Sequence, residues 1–261
     1  MRSHAKRSRT ATGWKPIKDP EGHFSTGIAD LDRLLGGGLK RGSFALLDLD
    51  DTVHTEDLDL VLFPIALNML YQSRGVIAVL PSRDSPQRFR ERITRYVTRR
   101  RFDARVRVID YAGEDESASY VVHLYDQASP SGSSGSSGVV KREIAKMVAA
   151  ERAVQGTRKK PYLELMAFEI PNIRFGSEVA ARMAFAGVKR AREVGNLVIG
   201  MVGPGVGSRE AIRQMADTEF RLHRDEVGLT VRGFHPSLPS HLVTVDRNTG
   251  APHVAFVPHP T

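Results

Sequence analysis

STGIADLDRLLGGGLKRGSFALLDLDD, residues 25–51, carries in order a helical turn, a glycine stop and a buried strand, and its reading decides the fold. Ile28, Leu31, Leu34 and Leu35 share one helical face, and Gly36, Gly37 and Gly38 end that helix. The short basic turn Lys40-Arg41-Gly42 leads into Phe44, Ala45, Leu46 and Leu47, an apolar run long enough for a buried first strand. The next segment, DLDDTVHTEDLDL at residues 48–60, is acidic, and no glycine occurs between Gly42 and Gly75. Such a loop cannot readily adopt the positive-φ turns that wrap a phosphate. Asp48, Asp50, Asp51, Glu56, Asp57 and Asp59 would also repel a triphosphate, each close contact costing roughly 1–4 kcal/mol near a surface. A solvated acidic loop, followed by a helix whose first-turn acids favour its dipole, accounts for the segment more simply than an active site does.

Composition bounds the rest. A chain of 261 residues with 41% hydrophobic content can bury one sizeable core with tails. Residues 1–24, with Arg7 and Arg9 among their basic side chains, are expected to form a flexible basic arm ahead of a core at 25–258. The formal charge of +8 favours an acidic partner, nucleic acid first. The absence of cysteine excludes disulfides and thiolate metal sites. With no run of 18 apolar residues and no signal peptide, the expected setting is cytoplasmic, with no membrane partner. The histidines show no i, i+4 pairing, so neither a metal nor a cofactor is expected.

Periodicity predicts a helix over 58–74, with Pro64 in its first turn or at a kink, and a strand over 76–80. A helix over about 86–101 follows, dense in arginine: Arg88, Arg92, Arg95, Arg99, Arg100 and Arg101, a surface that could grip phosphates. Strands are expected at 105–111 and 162–168, the latter ending at Glu169, and at 197–202. Helices are expected at 139–155, 176–194 and 208–215. SPSGSSGSSG at 129–138 has pure linker composition and reads as an engineered replacement for a natural loop. Residues 216–222, 229–234, 241–246 and 254–257 read as an antiparallel meander. The order predicts a three-layer α/β sandwich, with a mostly parallel central sheet and antiparallel C-terminal edge strands.

Thr26, Gly27, Ile28, Leu31, Asp32, Leu35, Gly36, Gly37, Gly38, Leu39 and Gly42 all fit T-G-(I/L)-x-x-L-D-x-x-L-G-G-G-(L/I)-x-x-G. In this the chain resembles the RecA-like ATPases related to KaiC. In that family a Walker A loop follows the strand. Its lysine falls here on Thr55 and its magnesium-binding hydroxyl on Glu56, with Asp50 and Asp51 inside the loop. The family's E-E-S-P segment, whose carboxylate activates water, is matched by Asp84, Ser85 and Pro86, with Arg83 in place of the first acid. Glu169 stands where the Walker B acid belongs, and residues 216–222 fit A-D-x-x-(I/V)-x-L. Arg232-Gly233 stands where relatives carry K-x-R-G near a subunit boundary. The resemblance implies a RecA-like fold and a degenerate nucleotide site, in a catalytically inactive module that assembles into a homo- or hetero-oligomeric ring, six-membered in many relatives. The layout is similar to the RecA-like subunits of the Elongator subcomplex, which bind tRNA.

Two other readings stay open. LLDLDDTV at 46–53 resembles the first motif of haloacid dehalogenase-like phosphatases. Asp48 would then be nucleophile and Asp50 acid/base around magnesium, with Ser82 where a second motif could lie. An atypical ATP site built from Arg83, Asp84 and Glu169 is the third.

Overall fold

The computed structural model describes residues 14–111, 118–123, 136–156, 159–246 and 253–259. Arg7, Arg9 and linker residues 129–135 lie outside the described residues.

A two-stranded ribbon opens the chain: β1 (His23–Phe24) pairs antiparallel with β2 (Leu39–Lys40), and α1 (Ala29–Leu34) lies between them. Sequence periodicity reports helices and longer strands, so this ribbon was not expected. The first half of the core is β3 (Phe44–Leu49), α2 (Thr55–Tyr71), β4 (Val76–Val79), α3 (Pro86–Ile93), α4 (Arg99–Arg105), β5 (Val106–Asp110) and β6 (Val121–His123). The second half is α5 (Ser136–Gln155), β7 (Leu163–Ala167), α6 (Glu169–Phe175), α7 (Ser177–Val194), β8 (Leu197–Val202) and α8 (Arg209–Arg213). After it come β9 (Thr218–Arg224), β10 (Leu229–His235), β11 (Leu238–Asp246) and β12 (His253–Pro258).

Ten of these strands form one sheet in the order β12-β11-β10-β9-β3-β8-β7-β4-β5-β6. From β9 to β6 the pairings are parallel, and from β9 outward to β12 they are antiparallel. This is the expected mostly parallel sheet with an antiparallel edge. Side chains alternate between two helical layers, as the period of two requires. Ala45 and Leu47 of β3 join α1 to α4 in one apolar cluster, while Phe44 and Leu46 face α5 to α8 in the other. The second cluster contains no residue of β9 to β12, so that helical layer stops short of the antiparallel strands.

The opening motif has a physical explanation. Asp32 is buried and its carboxylate accepts from the Thr26 N–H and Thr26 Oγ1, both at 2.7 Å, and from Ser25 Oγ at 2.5 Å. Gly27 has φ +77°, and a Cβ there would lie 2.6 Å from the Pro64 carbonyl oxygen. Gly38 has φ +101°, and a Cβ would come within 2.3 Å of the Phe24 carbonyl oxygen. Both are places where backbone meets backbone and no side chain fits.

Three expectations are corrected. Residues 14–24 are not a loose arm: Asn68, buried in α2, accepts from the Ile17 N–H at 2.9 Å and donates Nδ2 to the Ile17 and Ser25 carbonyls. A buried amide needs such partners, and Asp19, paired with Arg74, adds a second anchor. α2 starts at Thr55, which places Pro64 inside the helix. The arginine-rich helix is two helices, because the Thr98 hydroxyl accepts from the Arg101 N–H at 3.2 Å and caps a new start. The Gly/Ser linker composition also extends into α5, whose first turn is Ser136, Ser137 and Gly138.

Between β7, α5 and α7 lie two buried carboxylates, Glu164 and Glu151, with the Arg190 guanidinium on Glu151 at 2.5 Å. Burial pushes the Glu164 carboxyl up to about 7, Glu151 adds to the effect, and Arg190 opposes it.

Two outcomes follow for stability. Gly38→Ala should destabilise markedly more than Gly36→Ala, where φ is +70° but nothing lies within 4 Å of the new methyl. The first adds a backbone clash to a left-handed strain of about 1 kcal/mol, and urea denaturation would compare the two. The Glu164 pKa of about 7 exceeds its ordinary 4.5, so its contribution is fully present below pH 4.5 and is lost as pH rises through 7. Melting curves from pH 5 to 8 should fall, and Glu164→Gln should flatten that slope and stabilise the protein at pH 8 by up to roughly 3 kcal/mol.

Candidate functional site

The C-terminal ends of parallel strands are where α/β sheets hold ligands. Here those ends carry carboxylates already engaged by the protein itself. At the end of central β3, Asp48 is fully buried. Its Oδ1 accepts from Arg209 Nε at 2.7 Å and Nη2 at 2.6 Å, and its Oδ2 accepts from Arg221 Nε at 3.3 Å and Nη2 at 3.4 Å. Arg209 comes from α8 and Arg221 from β9. Beside them, Arg213 is shared between Glu219 at 2.8 Å and Glu210 at 3.2 Å.

Residues 50–54 form the connection to α2. Asp50 Oδ1 accepts from the Thr52 N–H and Oγ1, both at 3.2 Å, and its Oδ2 lies 3.5 Å from His223 Nδ1. Hydrogen bonding with Asp51 is the largest cause that holds the Asp50 carboxyl down at about 2, and the same contact raises Asp51. At the N-terminus of α2, the Asp57 carboxylate accepts from the His54 N–H at 3.0 Å. An acid from the helix itself thus occupies the place a phosphate would take. Thr55 and Glu56 follow on its first turn, with Glu56 exposed.

Farther along the sheet, Asp84 accepts from the Ser85 N–H at 2.9 Å and from both Arg92 Nη atoms, Nη1 at 3.0 Å. Asp59 of α2 lies 2.9 Å from Arg92 Nε. That contact is close but poorly aligned, since Nε has no hydrogen-bond partner. Arg92 is thus committed first to Asp84, and burial prevails at Asp59, pushing its carboxyl up to about 7. Glu169, opening α6, accepts from Ser82 Oγ at 2.8 Å and the Ser82 N–H at 3.3 Å, and Arg83 is exposed beside them.

The candidate residues are therefore not one constellation. β8 and β7 separate β3 from β4, so Asp48 and Ser82 sit on strand ends about 14 Å apart at the usual spacing. The phosphatase reading of Asp48 and Asp50 is corrected on this geometry. Both Asp48 oxygens are held by guanidinium groups, which leaves no nucleophilic lone pair free. Ser82 bonds Glu169 instead of facing Asp48. Among the described residues, no group of three His, Asp or Glu side chains is arranged to hold a metal.

The arginine surface is also smaller than the sequence suggests. Arg90 makes a bidentate pair with Asp103 and lies over Tyr120, 5.1 Å from the ring centre. Arg92 is buried in the acid network, and Arg101 stacks on Tyr71 at 5.0 Å. Arg88, Arg95, Arg99 and Arg100 remain exposed on α3, α4 and the turn between them, with no carboxylate within ion-pair distance among the described residues. A cavity of about 450 Å³ lies beside them, lined by Gln87, Arg90, Glu91, Thr94, Arg99 and Tyr120. Arg232 is exposed on β10 and lies 5.5 Å from the Phe234 ring centre, a ring it shares with Arg221 at 5.0 Å. Sequence reading missed Arg209, Arg213, Arg221 and Glu219, since partners more than 150 residues from Asp48 leave no local pattern.

Arg92→Ala should destabilise the fold by about 3–5 kcal/mol, because it strands Asp84 and Asp59 in a half-buried site. Arg88→Ala, at an exposed position one turn earlier in the same helix, should change it by less than about 0.5 kcal/mol. Guanidinium denaturation of both variants would measure the difference.

Known proteins share this architecture. The crystal structure of a KaiC-like protein from the hyperthermophilic archaeon Pyrococcus horikoshii OT3 superposes with a TM-score of 0.58 over 93% of this chain and 100% of that one, at 11% identity. At that identity the likeness is one of fold, a RecA/KaiC-like one. Protein GvpD1 of Halobacterium salinarum is 36% identical over 123 residues, 46% of this chain and 22% of that protein. Protein GvpD2 of the same organism is 34% identical over 101 residues, 38% of this chain and 20% of that protein. The matches span about a fifth of the length of these curated relatives. The family model described as GvpD basic region 2 matches residues 13–258, nearly the whole sequence, and the chain belongs to that family.

Proposed function

We propose that the protein is a RecA-like assembly or regulatory module that does not hydrolyse nucleotide and that holds nucleic acid on its α3–α4 surface. One observation carries the first half. Asp84, the carboxylate left to activate water, has its side chain locked on Arg92 and the Ser85 N–H. A general base must reach the proton it abstracts with a free lone pair. The phosphate loop is absent as well: Asp50, Asp51, Thr55 and Glu56 replace glycines, lysine and magnesium-binding hydroxyl, and the Asp57 carboxylate takes the His54 N–H at the start of α2. Arg83 and Glu169 remain at the rim without a lysine to complete a triphosphate site.

The second half rests on Arg88, Arg95, Arg99 and Arg100, which are exposed and unpaired among the described residues, in a chain of net charge +8. Four guanidinium groups there can neutralise several phosphates and release their counterions, which makes affinity fall steeply with salt. The family description, a basic region, is in keeping with this surface. The comparison with the Elongator RecA-like subunits extends it to RNA, and Arg232 is a proposed contact between subunits of the assembly.

Fluorescence anisotropy with labelled single-stranded RNA and DNA tests the reading. Binding should weaken at least tenfold between 50 and 200 mM salt. Replacing Arg88, Arg95, Arg99 and Arg100 together by glutamate should abolish it without loss of folding. Calorimetry with magnesium and ATP should give no heat, and ATP turnover by the protein would overturn the inactive reading.

A further inference from the structure

Among the described residues, no helix of the second layer packs on the outer face of the antiparallel end of the sheet. Phe220, Leu222, Leu229, Val231, Val243, Val254 and Phe256 point into the core shared with α1 and α2, and alternate residues point the other way. Register fixes that outer set: Arg221 pairs with Arg232, His223 with Thr230, Thr230 with Leu242, and Leu242 with Val257. Val257 is 45% exposed, Arg221, His223 and Arg232 are exposed, and Phe234 and Leu242 are half-buried. The face has the anatomy of an interface: apolar side chains at the centre and an arginine pair laid over an aromatic ring.

The acidic loop adjoins this face. The Asp50 N–H donates to the Leu222 carbonyl at 3.0 Å, Thr52 Oγ1 accepts from the Arg224 N–H at 3.0 Å, and Asp50 reaches His223. Exposed Asp51 thus sits at one margin of the face. Arg232 lies two strands away and level with Asp48, which puts it about 14 Å from Asp51 at normal spacing. No carboxylate pairs with Arg232 among the described residues, because its guanidinium lies against Phe234.

Adjacent patches of opposite charge on one surface are self-complementary under a twofold axis, since each copy offers the other what it lacks. We infer that this face docks a second copy of the chain, with the Asp50–Asp51 loop of each protomer on Arg232 of its partner and Phe234, Leu242 and Val257 meeting near the axis. A polyanion fits the face poorly, because it would run into Asp50 and Asp51. The hydrogen bond to Asp50, and after it the charge of Asp50, raise Asp51, and an incoming arginine would favour its ionised form. The inference rests on the reading of the chain as an assembly module, and it gives that assembly a closed twofold contact in place of a head-to-tail one.

Light scattering coupled to size exclusion, on the full chain at low salt, tests it. The wild type should run at twice the 28.8 kDa chain mass and dissociate as salt rises. Arg232→Glu and Asp51→Lys, both at exposed positions, should each be monomeric, and an equimolar mixture of the two should recover the double mass. A wild-type monomer at the highest concentration, a ring-sized particle, or a dimer indifferent to both reversals would overturn the inference. So would loss of RNA binding by Arg232→Glu with no change in mass. Anisotropy on the same variants separates the two readings: nucleic-acid binding by α3–α4 should survive Arg232→Glu, so a failure of one leaves the other standing.

Discussion

The structure turns on the buried carboxylate of Asp48. It stands at the end of β3, a strand flanked by parallel neighbours on both sides, β8 and β9, with no exposure to water. An isolated charge there would cost several kcal/mol, so the fold must bring cations to it. Arg209 arrives from α8 and Arg221 from β9, and this draws the loop after β8 and the first antiparallel strand onto the centre of the sheet. The parallel and antiparallel halves of the sheet are joined electrostatically at this point.

The same logic repeats along the strand ends. Asp57 takes Arg224, Asp84 takes Arg92, and Glu219 takes Arg213. Each pair ties a connecting segment to a neighbouring element, and together they form a row of internal ties along the strand ends. A fold can host many functions, because function resides in the site and the core carries the architecture. Beneath those ties the core is close-packed, with Phe44 and Phe168 edge to face at 6.5 Å.

Much of the fold was legible. The continuous apolar runs at 44–47, 76–80 and 197–202 became β3, β4 and β8, and the glycines Gly27 and Gly38 of the opening motif fell where backbone approaches backbone. The rim was legible only as a loss: the missing glycines and lysine are local facts, and a sequence states them directly. The partners of the acids are not local. Nothing near residue 48 announces Arg209 or Arg221, and nothing in the run of arginines from 88 to 101 shows which are spoken for. Arg90 and Arg92 differ from Arg88 and Arg95 by what the packing of other segments sets beside them, Asp103 for Arg90 and Asp59 and Asp84 for Arg92. The break at Thr98 was missed because the arginine pattern runs across it, although the poor helix formers Thr94, Tyr96, Val97 and Thr98 fall in the gap and the Thr98 hydroxyl caps the new start.

The two margins of the sheet have a consequence of their own. A long free strand offers a row of unpaired backbone donors and acceptors, which invites other chains to add on indefinitely. Here one margin is β6, only three residues long, and the other, β12, ends at Pro258, which has no N–H to give. Backbone templating is blunted at both ends of a ten-stranded sheet. That leaves side chains on the faces, where charge and shape decide the partner, as the surface for the proposed contact between copies.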